Sequence, residues 1–148
     1  MPLAPRKAAA HLVEAENADR KNARVVDKIR LALPVELNPE QRAELVRGFS
    51  EELTQGRAPW LAAFHDRGKD AHNPHCHLIV RDRDVETGKR VIGTSEAGST
   101  ERIRVLWERH ANAALEAAGS QAQIDRRTLA AQGVDRAPTI HEGPRAKA

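Results

Sequence analysis

The chain has 148 residues, 30% of them charged, with 24 Lys and Arg against 21 Asp and Glu for a formal charge of +3. That length suits one domain with a single core, and the mild basic excess permits a polyanionic partner without requiring one. One cysteine, Cys76, excludes an internal disulfide, and no apolar run is long enough to cross a membrane, so a cytoplasmic protein in a reducing compartment is the expectation.

Ala8 to about Ala23, rich in Ala, Glu and Lys, reads as a helix. Val25 to Leu33 then alternates with period two: Ile29, Leu31 and Leu33 share one face of a strand, Lys28, Arg30 and Ala32 the other. Pro34 ends it. Asn38-Pro39-Glu40-Gln41 is a helix start, with an N-cap Asn, proline at the first helical position and an acid in the first turn. Leu45, Phe49 and Leu53 mark the apolar stripe of that helix, and Gly56 is placed to cap it. Trp60 to His65 reads as a second strand, Asp66 to Asp70 as a loop, and Cys76 to about Asp82 as a third strand. A hairpin through Glu86-Thr87-Gly88-Lys89 leads into Arg90-Val91-Ile92. Ser99 or Thr100 is expected to cap a long helix running through Leu106, Trp107, Ala111 and Leu115 to Gly119, and a helical turn near Arg127 to Gln132 follows. The pattern is α+β: an antiparallel sheet with helices on one face, in a domain spanning residues 1–144 before a short mobile tail, 145–148.

Three of the seven histidines fall in one stretch, His65 and His75-Cys76-His77. On a strand, residues i and i+2 point the same way, so His75 and His77 project side by side while Cys76, Leu78 and Val80 face the helices. His65 ends the preceding strand, and the Asp66–Pro74 link is short enough to join two adjacent antiparallel strands. Three imidazoles that leave coordination positions open form a catalytic type of metal site, for which a divalent metal (Mg, Mn or Zn) is expected. An isolated His-x-His is more often an ordinary pair of strand residues; the third histidine and the Asn73-Pro74 turn shift the balance toward metal. His72 reads as a solvated loop residue, and His11 and His110 as helix-surface residues. A histidine-triad nucleotide hydrolase would need a third alternating histidine at position 79, which is Ile. Arg81 shares the parity of His75 and His77 and is the strongest phosphate-binding candidate. Lys28 and Arg30 are expected on the same face, either gripping phosphates or simply solvated.

Phe64-His65-Asp66 with Asn73-Pro74-His75-Cys76-His77-Leu78-Ile79-Val80 resembles the metal motif of the MobA/MobL relaxases, the mobilization nucleases of plasmids. The resemblance runs from about residue 12 to residue 144. It takes in Asn17 to Arg24, Leu31 to Leu37 with Glu40-Gln41, Trp107, Asn112, Leu115, Gly119, Ile124 to Leu129, Gln132 to Arg136 and Pro138 to Pro144. It implies a relaxase-like (HUH) fold with a five-stranded antiparallel sheet, and His65, His75 and His77 as metal ligands. It also implies Arg126 and Arg127 against the site, with Arg127 a DNA contact. The substrate implied is single-stranded DNA at a transfer origin, nicked by metal-assisted transesterification, with other relaxosome proteins as possible partners.

Two departures bear on activity. The family's nucleophilic tyrosine lies ahead of the first helix, and this chain contains no tyrosine, so a chain cut short before its first strand and lacking the catalytic residue is expected. The family's strand before its Leu-Pro usually carries acids near the site, where Lys28 and Arg30 stand here. The expectation is a metal- and DNA-binding relaxase domain without covalent nicking. The alternatives are a metal-dependent hydrolytic nuclease using bound water, or an inactive remnant.

Overall fold

The computed structural model describes residues 26–93, 97–127 and 132–133. The helix expected over 8–23 and the tail therefore lie outside the described residues, as does most of the turn near Arg127. Strand β1 (Asp27–Ala32), helix α1 (Pro39–Thr54), strand β2 (Trp60–His65), strand β3 (His75–Val80) and helix α2 (Ser99–Ala117) follow in chain order. The strands form an antiparallel sheet in the order β1–β3–β2, so β3 is central. The fold is α+β, as the alternating patterns require.

The register decides which side chains meet. Lys28 lies opposite Ile79, Arg30 opposite His77 and Ala32 opposite His75 on one side of β3; Ala63 lies opposite His77 and His65 opposite His75 on the other. Directly opposed residues of an antiparallel pair share a face, so this face carries the histidines and the two cations. The other face carries Leu31, Trp60, Cys76, Leu78 and Val80, all buried, and α1 and α2 cover it with Val46, Phe49, Ile103, Leu106 and Trp107. The Phe49 ring meets that of Trp107 edge-on, with centroids 5.2 Å apart. A smaller cluster of Leu37, Leu45, Ala111 and Leu115 extends the core along the two helices.

Helix α1 starts as its sequence dictates. The Asn38 side chain accepts from the Gln41 amide, and the Gln41 side chain accepts from the Asn38 amide, both at 2.8 Å, a reciprocal capping box. Its end departs from expectation by one residue: the left-handed cap is Gln55 (φ 55°), with Gly56 donating to the Glu51 carbonyl just after it. The start of α2 also differs. Gly98, in the left-handed region (φ 79°), occupies the N-cap, and Ser99 is already the first helical residue with no side-chain cap. Glycine alone takes that conformation without steric cost, so it displaced the better capping residue. The third strand stops at Val80 rather than Asp82. The expected hairpin is present as a short one: Arg83 bridges Arg90, the Asp84 and Val91 amides donate to the Lys89 and Asp82 carbonyls, and the Asp84 carboxylate turns the chain by accepting from the Glu86 and Thr87 amides. The sheet of the described residues thus has three strands, where the resemblance implied five.

Candidate metal centre and nucleic-acid face

His65, His75 and His77 come together at one end of the sheet. One ring nitrogen from each can be chosen so that all three lie within 4.8 Å of one another. The His65 and His75 rings stack at 5.0 Å, and each meets His77 nearly edge-on, at 4.8 and 5.2 Å. Among the described residues, no other group of three or more histidine, cysteine or carboxylate side chains has this convergence. Strand pairing produces it: His65 and His75 are cross-strand partners, and His77 stands two residues further along β3.

One ring is held from behind, and a second faces a carboxylate. His75 Nδ1 lies 2.9 Å from the Asn73 carbonyl, which fixes Nδ1 as the donor and leaves Nε2 with its lone pair outward. His65 Nδ1 faces the Asp70 carboxylate at 3.9 Å. Both partners come from the loop between the ligand-bearing strands, and Gly68–Asp70 form a single 3-10 turn within it. Burial, then the neighbouring His65 and His75, then Arg30 and Lys28 lower the pKa of His77. This favours the neutral form of His77, which keeps its lone pair for a cation. Three imidazole nitrogen donors on adjacent strands fit a divalent ion such as zinc or manganese better than an oxygen-seeking magnesium.

Arg42 braces the loop from inside the protein. Its side chain is largely buried, donates to the Pro34 and Val35 carbonyls at 3.2 and 3.4 Å, and pairs with Asp66 at 3.5 Å. One side chain therefore joins the segments that leave β1 and β2, on either side of His75.

The basic candidates separate. Arg30 is opposite His77, and Lys28 is one step further along the same face. Arg81 lies beyond the end of β3, four residues past His77, which at 3.3 Å per residue is about 13 Å away; its amide donates to the Pro59 carbonyl. Its shared parity with the histidines thus brings it to the opposite end of the sheet, and Arg30 is the nearer cation. Arg127 is exposed and held by Asp125 through its Nε and Nη2, at 2.6 to 3.1 Å, which pulls the Asp125 carboxyl down to about 2. Arg126 is engaged by Glu101 and Glu108. Arg126 lines a groove of about 580 Å³ between β1 and α2, together with Lys28, Arg30, Arg104 and the acids Asp27 and Glu108. His110, expected on a helix surface, is instead half-buried: it pairs with Glu52 of α1 and packs edge-on against Phe49.

Sequence reasoning missed Asp70, the Asn73 carbonyl and Arg42. The Asn-Pro turn before His75 was a visible signal for the second. Arg42 stands three residues before Leu45 and seven before Phe49, so the periodicity of α1 puts it on the buried stripe, and only its charge argued against reading it so.

The MobA/MobL family matches the chain over residues 6–148. Mobilization protein A of Escherichia coli is 36% identical over 97% of this chain and 23% of its own length. Mobilization protein MobL of Acidithiobacillus ferridurans is 31% identical over 86% of the chain and 43% of its length. Conjugal transfer protein TraA of Agrobacterium fabrum is 34% identical over 87% and 14%. The chain thus spans less than half the length of these relatives. A solved structure reported as "Molecular Basis of Vancomycin Resistance Transfer in Staphylococcus aureus" superposes with a TM-score of 0.61 at 24% identity, covering 79% of this chain and 63% of that one. At that identity the likeness speaks for the fold alone.

Proposed function

The chain belongs to the MobA/MobL family, and on that premise we propose that it is the metal-holding, strand-binding part of a mobilization relaxase, acting on single-stranded DNA at a transfer origin. His65, His75 and His77 hold a divalent cation, and the convergence of their ring nitrogens within 4.8 Å is the observation that carries the reading. When bound, the cation would act as a Lewis acid toward a non-bridging phosphate oxygen. Arg30 and Lys28, on the histidine face, neutralise the backbone phosphates and set the strand across β1 and β3. Arg104 in the adjoining groove continues this basic track, beside Arg126, which Glu101 and Glu108 engage; Arg81 and Arg127 are more distant contacts. The Asn73 carbonyl holds the His75 ring in orientation, and the Asp70 carboxylate faces the His65 ring at 3.9 Å.

Strand transfer in such a relaxase requires a nucleophile, and none of these 148 residues is a tyrosine. The chain as it stands binds metal and strand without forming a covalent phosphotyrosine link. Calorimetry with Mn²⁺, Zn²⁺ and Mg²⁺, followed by incubation with transfer-origin oligonucleotides and denaturing electrophoresis, tests this. The expected result is metal and DNA binding with no protein–DNA adduct. A stable adduct, or no heat of binding with any of the three metals, would overturn it. Metal-dependent cleavage without an adduct, lost in His77→Ala, would establish hydrolysis by bound water instead. In the cell, the other relaxosome proteins are the partners this role implies.

A further inference from the structure

We propose that the pocket at the end of β2, beside His65, receives one unpaired nucleobase of the bound strand, and that the base it accepts carries an exocyclic amino group. This subsite rests on the single-strand reading above.

Phe64 has the inward parity of Trp60 and Ala62, yet 39% of it is exposed. Among the described residues strand β2 is an edge of the sheet, and the α1 residues over its end are Pro39 and Ala43, too small to cover a phenyl ring. A lone exposed phenylalanine needs no explanation. This one, however, lines a concavity of about 470 Å³, within the range of small-ligand pockets, with polar groups around an apolar floor. His65 lines the same pocket and also belongs to the metal-ligand cluster. A base in the pocket and a phosphate at the cluster would therefore belong to the same or adjacent nucleotides.

The charges choose between base and phosphate. Asp66 and Asp70 line the pocket with Arg67, and Arg42 pairs with Asp66, so the lining carries no net positive charge to draw a phosphate. A neutral aromatic ring needs none, and base–aromatic stacking is the usual means of holding an unpaired base. Asp66 is engaged by Arg42. Asp70 touches His65 only at 3.9 Å and keeps accepting capacity. A carboxylate accepts from the amino group of cytosine or adenine, whereas thymine offers a carbonyl in the same place.

Fluorescence anisotropy with labelled dC12 and dT12, in Mn²⁺ at several salt concentrations, tests the subsite. The wild type should prefer dC12. Phe64→Leu, at an exposed position where folding is checked by its melting curve, should weaken dC12 binding about 5- to 150-fold with the salt slope unchanged. Phe64→Trp should retain binding. Lys28→Gln/Arg30→Gln should lower the salt slope instead. If that double variant responds while Phe64→Leu binds dC12 as tightly as wild type, the subsite is wrong and the strand-binding reading survives. Equal wild-type affinity for dC12 and dT12 overturns the role given to Asp70. Failure of the wild type to bind either strand at low salt overturns both the reading and the subsite.

Discussion

The two faces of strand β3 are built from alternate residues of one six-residue segment, and they have opposite characters. Cys76, Leu78 and Val80 have no measurable exposure and pack beneath both helices, while the buried His75 and the exposed His77 meet His65, Arg30 and Ala63 on the opposite, more polar face. A one-residue slip would exchange the two sets entirely. The difference teaches that burial on one face positions the chemistry on the other: the histidines are held rigidly because their neighbours cannot move.

The largest expected effect comes from breaking the buried face. Phe49→Ala should cost about 3–5 kcal/mol, seen as a large fall in the urea midpoint, because Phe49 is fully buried against Trp107 and His110. On the polar face, His77→Ala should leave the apo melting temperature nearly unchanged. It should also remove the stabilisation that metal gives the wild type, about 2.7 kcal/mol at a metal concentration 100 times Kd. A melting curve of this variant that still rises with metal would show that His77 is not a ligand. Asp70→Asn sharpens the comparison further, since support of a ligand from behind is typically worth about 10- to 100-fold in metal affinity by calorimetry. Unchanged affinity would reduce Asp70 to a bystander.

Thiol chemistry separates the faces by a single residue. Burial pushes the Cys76 thiol up to about 11, outweighing a backbone hydrogen bond from Ala63, so the thiolate is scarce at pH 8. A disulfide reagent should label Cys76 only at the rate of unfolding, and fast labelling of the native protein would contradict the buried face. The smallest effect is electrostatic. Hydrogen bonds from Arg109 and then His110 hold Glu52 below its ordinary carboxylate value of 4.5. A carboxylate depressed in the folded state contributes stability above its unfolded pKa and loses it as pH falls through the folded one. The α1–α2 contact should therefore weaken below about pH 4.5, and the loss should be smaller in Glu52→Gln. Because the group is largely exposed, the shift in midpoint should be slight.

Much of this was legible in the sequence. The alternation of Lys28, Arg30 and Ala32 against Ile29 and Leu31 gave β1 its faces, Asn38-Pro39-Glu40-Gln41 gave α1 its start, and Trp60–His65 was bounded correctly. The three histidines were joined by reasoning from strand parity and loop length alone. What escaped depends on backbone conformation and on distance. Parity says that Arg81 shares a face with His77 but not that the strand ends before it. Propensity favours Ser99 as a cap, yet the positive φ at that corner selects Gly98. Arg42 shares the stripe of Leu45 and Phe49, but what its charge would pair with is visible only once the carbonyls of Pro34 and Val35 are seen to lie within its reach.

The buried Arg42 also has a dynamic consequence. Its donors serve carbonyls and a carboxylate from two segments far apart in sequence, while its backbone belongs to the first turn of α1. Fraying of that turn would release both segments together, and with them the loop that carries Asp70 and Asn73. The helix start and the loop between the ligand strands should then open as one cooperative unit in amide exchange. A denaturant too dilute to unfold the sheet would loosen the grip on a cation before the core registered any change.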